Sequence, residues 1–469
     1  MRDRIMVVVA VTCMLTAPLF ADEAAGWRTD GTGRYPDAEP ATRWSASDNV
    51  IWKTALASWT NSSPIVVGDR LFTCGEPDVL FCIDTKNGRV LWDRRCPRED
   101  VLTDAERIEA ARLNQERQEY VKTTAEPLRK KIAEVAQILK NLQARRKETP
   151  DDAGLKQRVS ETNATRLELD KQQEAIDVKL RELSRFALPH KSDIGGYSSP
   201  TPVSDGKFIY VLFGTGMAAC YDLQGERKWC RFVGHPENQY GHSASPVLLD
   251  GVLFVHVDDM MALKKEAGEV IWSKPLPAGF GSPVAGRIGR EDFLFLAKGL
   301  AVRAKDGEAL KWRCPALEFA SAVVCDGVAY YIQNGGGAFR LSTDDSAVIE
   351  PLWKTSPKKQ RYYASPVVHD GLVYTVTEQG NLSIIDAKNG SVVNATPLDL
   401  GETVFSSVTL AGGYLFITGE KGATVVFRPG REFKEVARNT LEPLRSTPVF
   451  VGKRMYVRTL KAVYCIGEK

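Results

Sequence analysis

The chain has 469 residues, 9% of them aromatic, and 62 basic against 59 acidic side chains give a formal net charge of +3. This is an ordinary globular balance, and it excludes a bulk electrostatic case for binding nucleic acid. In chain order, Arg2 and Arg4 precede the apolar run "IMVVVAVTCML", then "TAPLFA" and acidic Asp22-Glu23. That order predicts a signal peptide over 1–21, cut after Ala21, and hence an exported chain that is soluble once the leader is removed, in the periplasm or outside the cell. The run is too short to span a bilayer, and a membrane span is not expected. Residues 22–48 are an N-terminal extension with no repeat character.

From residue 49 the chain becomes repetitive. "CIDTKNGRVLW" (82–92) is a strand, a turn closed by Gly88 and a second strand ending on Trp92. Asn-Gly supplies the positive φ angles of a tight hairpin. The pattern returns in "CYDLQGERKW" (220–229), "ALKKEAGEVIW" ending at Trp272, "VRAKDGEALKW" ending at Trp312, "AVIEPLW" ending at Trp353 and "IIDAKNGSVVN" (384–394). Upstream of each copy lies a second strand–turn–strand phrase, such as "SSPIVVGDRLF" at Ser62 or "SASPVLLDGVLF" at Ser243. The residue after Ser or Thr in these phrases is Pro64, Pro202, Pro246, Pro283, Ala322, Pro366, Val408 and Pro448, with spacings of 37 to 44 residues after the first gap. Eight copies of a four-stranded unit predict an all-β, eight-bladed β-propeller. The last copy stops one strand short, and "NVIWKTAL" (49–56) carries an unpartnered strand with Trp52 at the repeat position. This strand is expected to complete blade 8 and close the ring. The equivalent tryptophans read as packing wedges between blades. The propeller then comprises 49–95 (closing strand and blade 1) and 191–469 (blades 2 to 8).

The first gap, Pro64 to Pro202, is about 95 residues longer than a blade needs. Between Val101 and Leu188 there is no Trp, no Cys and a single Gly, Gly154. Leu128, Ile132, Val135, Leu139 and Leu142 step by four and three. Leu155, Val159, Thr162, Arg166, Leu169, Gln173, Ile176, Leu180 and Leu183 do the same after "KETPDDAG". This predicts an inserted antiparallel α-helical coiled-coil hairpin over 96–190, kinked or restarted at Pro127. Polar Arg166 and Gln173 in the seam suit register setting or a further helix.

Of nine cysteines, Cys13 lies in the leader. Cys82, Cys220 and Cys465 share one repeat position and read as small packing residues. Cys74 and Cys82 are a candidate disulfide across neighbouring strands. With no C-x-x-C, no C-x-x-C-H and no vicinal Cys-Cys, neither zinc nor covalent haem is expected.

Asp84, Gly88 and Trp92, with Asp222, Gly225 and Trp229, and Asp386 with Gly390, resemble the repeat of the PQQ-like (quinoprotein alcohol dehydrogenase-like) propellers. The resemblance covers about 49–95 and 196–467, not the arm. It implies one of two functions. Dehydrogenases of this kind hold pyrroloquinoline quinone with calcium, which takes several converging hard oxygens; their vicinal Cys-Cys lid is absent here and little chain is left for long site loops. The other group, the BamB-like branch, consists of non-catalytic periplasmic scaffolds; this chain lacks their lipoprotein signal and adds an arm.

Segments entering the innermost strands surround one mouth of a propeller's channel. The position three before each anchor gives Asn61, Ser199, Ser243, Phe280, Phe319, Tyr363, Phe405 and Arg445, with Trp59, His242, Glu318 and Tyr362 just before. This candidate ligand site is half aromatic and half polar, with Arg445 and His242 as anion contacts, and is suited to a peptide strand, a glycan or a flat cofactor. The alternative is a channel plugged by its own aromatics. No carboxylate is visible to orient a histidine base, so no catalytic residue and no metal ligand is assigned. The sequence reading is therefore an exported, non-catalytic interaction scaffold without cofactor, meeting envelope protein partners through the arm or the channel mouth. A quinone-dependent alcohol or sugar oxidoreductase and a glycan-binding propeller are the alternatives.

Overall fold

The computed structural model describes residues 25–468 except 190, 237, 239 and 345, so the leader reading on 1–21 lies outside the described residues. Among the described residues no helix is long and apolar enough to cross a membrane. Eight antiparallel four-stranded sheets form the blades, seven of them from consecutive strands, and the sheet of blade 7 carries a fifth, short strand. Blade 1 runs Ile65–Val67, Arg70–Gly75, Val79–Asp84, Val90–Arg95 from the axis outward. Blades 2 to 7 begin at Val203, Val247, Val284, Val323, Val367 and Thr409. Blade 8 takes its first three strands from Val449–Val451, Arg454–Arg458 and Ala462–Ile466 and its outermost from Val50–Ala55, where Trp52 pairs with Cys465. Joining the two ends of the chain in one blade closes the ring without a free sheet edge on the seam.

The repeat motif has a packing reason. Trp92 stands opposite Cys82, Trp229 opposite Cys220, Trp52 opposite Cys465, Trp272 opposite Ala262 and Trp353 opposite Ala338. A small residue on the neighbouring strand leaves room for the indole. The outermost hairpin of every blade carries a register shift within a residue or two of this position, which re-aims the side chains that follow. Each indole then meets the turn glycine of the next blade.

A second ring lies at the axis. Seven of the eight Ser or Thr hydroxyls before the anchors accept a backbone N–H from the neighbouring blade. Ser63 donates to Thr201 (3.2 Å), Thr201 to Ser245 (3.0 Å) and Ser245 to Ser282 (2.9 Å). Ser321 donates to Ser365 (3.0 Å), Ser365 to Ser407 (3.1 Å), Ser407 to Thr447 (3.0 Å) and Thr447 back to Ser63 (2.9 Å). These hydroxyls satisfy buried amides that the short inner strands leave unpaired.

The insertion folds as α1 (Asp104–Tyr120), a π-helical turn over Val121–Ala125, α2 (Glu126–Glu148) and α3 (Ala153–Leu183). Thr103 and Glu106 make a reciprocal cap on α1, and Asp152 caps α3. The helix restarts at Pro127 after the π turn, which absorbs the hydrogen bond the proline cannot make. Leu142, Leu155 and Val159 pack together next to Leu139, and Leu169, Ile176 and Leu183 are buried further along α3. At 1.5 Å per residue α3 alone is about 46 Å long.

Two readings of the sequence meet differences. Cys74 pairs with Leu80 and Cys82 with Phe72, so the two thiols are offset rather than opposed, and all eight described cysteines are free. Residues 25–48, read as a plain extension, run across the propeller. Ala25 bridges Ser204 of blade 2, Arg34–Tyr35 pair in parallel with Leu410–Ala411 of blade 7, and Glu39 N donates to Gly452 O in blade 8. Arg28 is fully buried there and donates to Pro366 O (2.6 Å), Val408 O (3.0 Å), Thr32 O (3.1 Å) and Gly31 O (3.3 Å).

Candidate functional site at the channel mouth

The loops entering the inner strands converge because eight blades share one axis. They enclose a cavity of about 300 Å³ lined by Asn61, Ser199, Ser243, Phe280, Phe319, Tyr363, Phe405 and Arg445, with the axial hydroxyls below and Trp27 of the N-terminal crossing also on its wall. Four of the expected residues stand elsewhere. Trp59 lies beneath Lys191, whose Nζ is 5.7 Å from its ring centroid. Glu318 is exposed. Tyr362 is buried and donates to Lys358 O at 2.7 Å. His242 is buried against a second cavity of about 220 Å³.

The aromatic half is continuous. Ring centroids are 5.1 Å apart for Phe280–Phe319, 4.8 Å for Phe319–Tyr363 and 5.0 Å for Tyr363–Phe405, and Tyr240 extends the arc onto Phe280 at 5.9 Å. Arg361 sits over Phe319 at 6.0 Å and Arg445 over Phe405 at 5.2 Å. Burial raises the Tyr363 hydroxyl above its ordinary value, and its hydrogen bond to Arg361 raises that guanidinium in turn.

The polar half is occupied by the chain returning from the arm. Asn61 Nδ2 donates to Ile194 O (2.7 Å), Arg445 Nη1 to the same oxygen (2.8 Å), and Ser199 Oγ to Gly195 O. Glu76 holds the segment from behind, accepting from Tyr197 N (2.7 Å), Ser198 N (2.8 Å) and Ser198 Oγ (2.7 Å), with Lys191 at 3.3 Å. Of the two expected anion contacts, Arg445 lines the cavity and His242 does not. Arg445 is paired with Glu420 at 2.6 Å. Burial, then the neighbouring His256, pushes His242 down to about 4, so it is neutral at pH 7.

Sequence reasoning missed Arg361, Tyr240, Ile194, Gly195, Trp27 and the hydroxyl ring. Arg361 lies two residues before Tyr363, outside the positions counted. The ring was visible as the Ser or Thr before every anchor. Nothing local marked Trp27 or Ile194. Among the described residues, those lining the cavity include no Asp, Glu, His or Cys, and no cluster of three or more such groups able to hold a metal occurs. Calcium seeks several anionic or carbonyl oxygens at one point, so this donor set does not fit a calcium-held quinone. The surface offers aromatic faces, hydroxyls and guanidinium groups.

A family model described as outer membrane protein assembly factor BamB matches residues 41–130 and 214–466. A protein of that name from Legionella pneumophila (strain Paris) is 23% identical over 190 residues, 38% of this chain and 48% of the relative's own length, so the match spans about half of that relative. Among solved structures, a europium-containing methanol dehydrogenase aligns at TM-score 0.53 with 10% identity, covering 95% of this chain and 98% of its own. Quinohemoprotein alcohol dehydrogenase from Comamonas testosteroni aligns at 0.51 with 11% identity, covering 92% and 79%. At these identities the two alignments establish the shared fold alone.

Proposed function

The chain belongs to the family of the outer membrane protein assembly factor BamB, and we propose that it is an exported, non-catalytic β-propeller serving as a protein-interaction scaffold in the cell envelope. The observation that carries this reading is the composition of the mouth: an open arc of aromatic rings beside hydroxyls, with no carboxylate, histidine or cysteine among the lining residues. Rigid aromatic faces at a cavity edge supply contact area at low entropic cost, as interface anchors do. The arm gives a second surface. Arg166 and Gln173 occupy its seam, paired with Asp170 (2.7 Å) and Asp177 (2.7 Å) on their own helix, and the Gln173 carbonyl oxygen is buried without a partner. Envelope proteins are the partners proposed for both surfaces.

Titration of the purified chain with pyrroloquinoline quinone and calcium, followed by quinone absorbance and binding heat, separates this reading from a quinone-dependent oxidoreductase. The expectation is no saturable binding. One site per chain at micromolar affinity or tighter would overturn the scaffold reading. Envelope-fraction capture with the full chain and with a chain lacking 104–183 then asks whether partners depend on the arm.

A further inference from the structure

Cys96 and Cys230 are 134 positions apart in sequence and meet where the arm leaves the propeller. Cys96 directly follows the outermost strand of blade 1 and is fully buried, its N–H bonded to Asp78 O at 3.0 Å. Cys230 lies in the outermost strand of blade 2, Arg227–Phe232, next to Trp229. Side chains alternate along a strand. Because Trp229 faces blade 3, Cys230 and Phe232 face blade 1 and the lead-in to the arm, and they pack beside Cys96, Leu91, Trp92 and Tyr221. Both thiols thus belong to one buried cluster between blades 1 and 2.

Other contacts hold the same two segments together. Tyr221 Oη donates to Arg95 O at 3.3 Å, the Arg98 guanidinium lies 3.8 Å from the Phe232 ring centroid, and Asp100 pairs with Arg227 at 2.5 Å. The pair is also chemically unlike the other described cysteines. Cys74, Cys82, Cys220, Cys314 and Cys325 are each pushed up to about 12, and Cys465 to about 11, by burial. Cys230 alone is drawn down, by the Cys96 hydrogen bond and then by the Arg227 charge, while the same bond holds the proton on Cys96. A thiolate beside a thiol is the arrangement from which disulfides form.

We propose that Cys96 and Cys230 are a redox pair whose disulfide staples the lead-in of the helical arm to blade 2. The oxidant is a small or protein disulfide, RSSR. The Cys230 thiolate attacks one of its sulfurs, giving a Cys230–SR mixed disulfide and releasing RS⁻, which takes up a proton. Cys96 then loses its proton, attacks the Cys230 sulfur and displaces the second RS⁻. Two thiols lose two protons and two electrons in total, and RSSR is reduced to two RSH.

The test uses the full chain equilibrated in reduced and in oxidised glutathione, quenched with acid, alkylated under denaturant and digested for mass spectrometry. The expected result in the oxidised sample is two fewer alkylated thiols and a peptide pair joined through Cys96 and Cys230. Cys230→Ser, at the half-buried position, and Cys96→Ser each abolish the linkage, and Cys74→Ser leaves it intact. A melting temperature higher in the oxidised than in the reduced wild type, with the difference lost in Cys230→Ser, reports the same staple independently. Full alkylation of both cysteines after oxidation, a stable Cys230–glutathione adduct beside free Cys96, or linkage between other cysteines would each overturn the proposal.

Discussion

Trp92 Nε1 donates to Leu223 O of the next blade at 3.1 Å, and its ring lies against Gly225 of the same turn. The arrangement recurs at Trp52 with Thr85 O (2.9 Å) and Gly88, Trp229 with Lys265 O (2.7 Å) and Gly268, Trp272 with Ala304 O (2.9 Å) and Gly307, and Trp353 with Ala387 O (2.7 Å) and Gly390. Trp312 is the exception. Between strands Gly337–Leu341 and Ile349–Lys354 of blade 5 the sequence has no glycine, and the Trp312 ring packs edge-on against Phe339 at 5.0 Å. In these five repeats the turn glycine thus belongs energetically to the previous blade's tryptophan.

A Cβ at Gly225 would stand 2.8 Å from the Trp92 ring, at a φ of +86° that L side chains rarely adopt. Gly225→Ala is expected to destabilise the fold by about 2–4 kcal/mol, adding left-handed strain to overpacking. Gly371→Ala has a similar φ of +71° but open space, and should lose about 1–2 kcal/mol. Urea unfolding of both variants measures the difference; equal losses would refute the wedge.

Arg28 ties the N-terminal crossing to blades 6 and 7 through Pro366 O and Val408 O. Arg28→Met leaves those buried carbonyls without their donor, at about 2–4 kcal/mol. Limited proteolysis should then cut within 25–48 well before the blades, with a lowered melting temperature. Unchanged protease resistance would show that the crossing is held by its other contacts.

Glu76 organises the segment that roofs half the mouth. Glu76→Ala removes acceptors for two backbone amides and for Ser198 Oγ. Amide hydrogen exchange over 191–198 should accelerate by an order of magnitude or more, corresponding to about 1–3 kcal/mol, while exchange in the blades stays put. Protection equal to wild type would remove Glu76 from this role.

His242 gives the fold an acid-sensitive element. Unfolded histidine ionises near 6.5, and burial lowers His242 to about 4, with His256 beside it also lowered. Because the folded value is depressed, the stabilisation is complete above about pH 6.5 and declines as pH falls toward 4, by at most about 3 kcal/mol. Urea midpoints between pH 7.5 and 4.5 should fall less steeply in His242→Gln. Parallel curves would show that other groups set the acid limit.

The blade count, the closing strand and the helical insertion were legible because each is a local period repeated. Asn61, Phe280, Phe319, Tyr363, Phe405 and Arg445 could be named in advance because equivalent repeat positions must converge on the axis. Their states could not. Arg445 reads as an anion contact in the sequence, and in the fold Glu420 and the Ile194 carbonyl hold it, from loops with no spacing relation to it.

By itself the sequence determined the fold, since a repeat that cannot bury its faces alone must stack on copies of itself, and eight copies close a ring. Only the tertiary structure decided which ends of the channel are covered and which thiols meet. Trp27 on the cavity wall, Arg28 against blades 6 and 7, Ile194 over the mouth, and Cys96 in one cluster with Cys230 are contacts between segments far apart in the chain and outside the repeat. Such contacts follow from where the closed ring places loop ends in space, which no periodicity along the chain records.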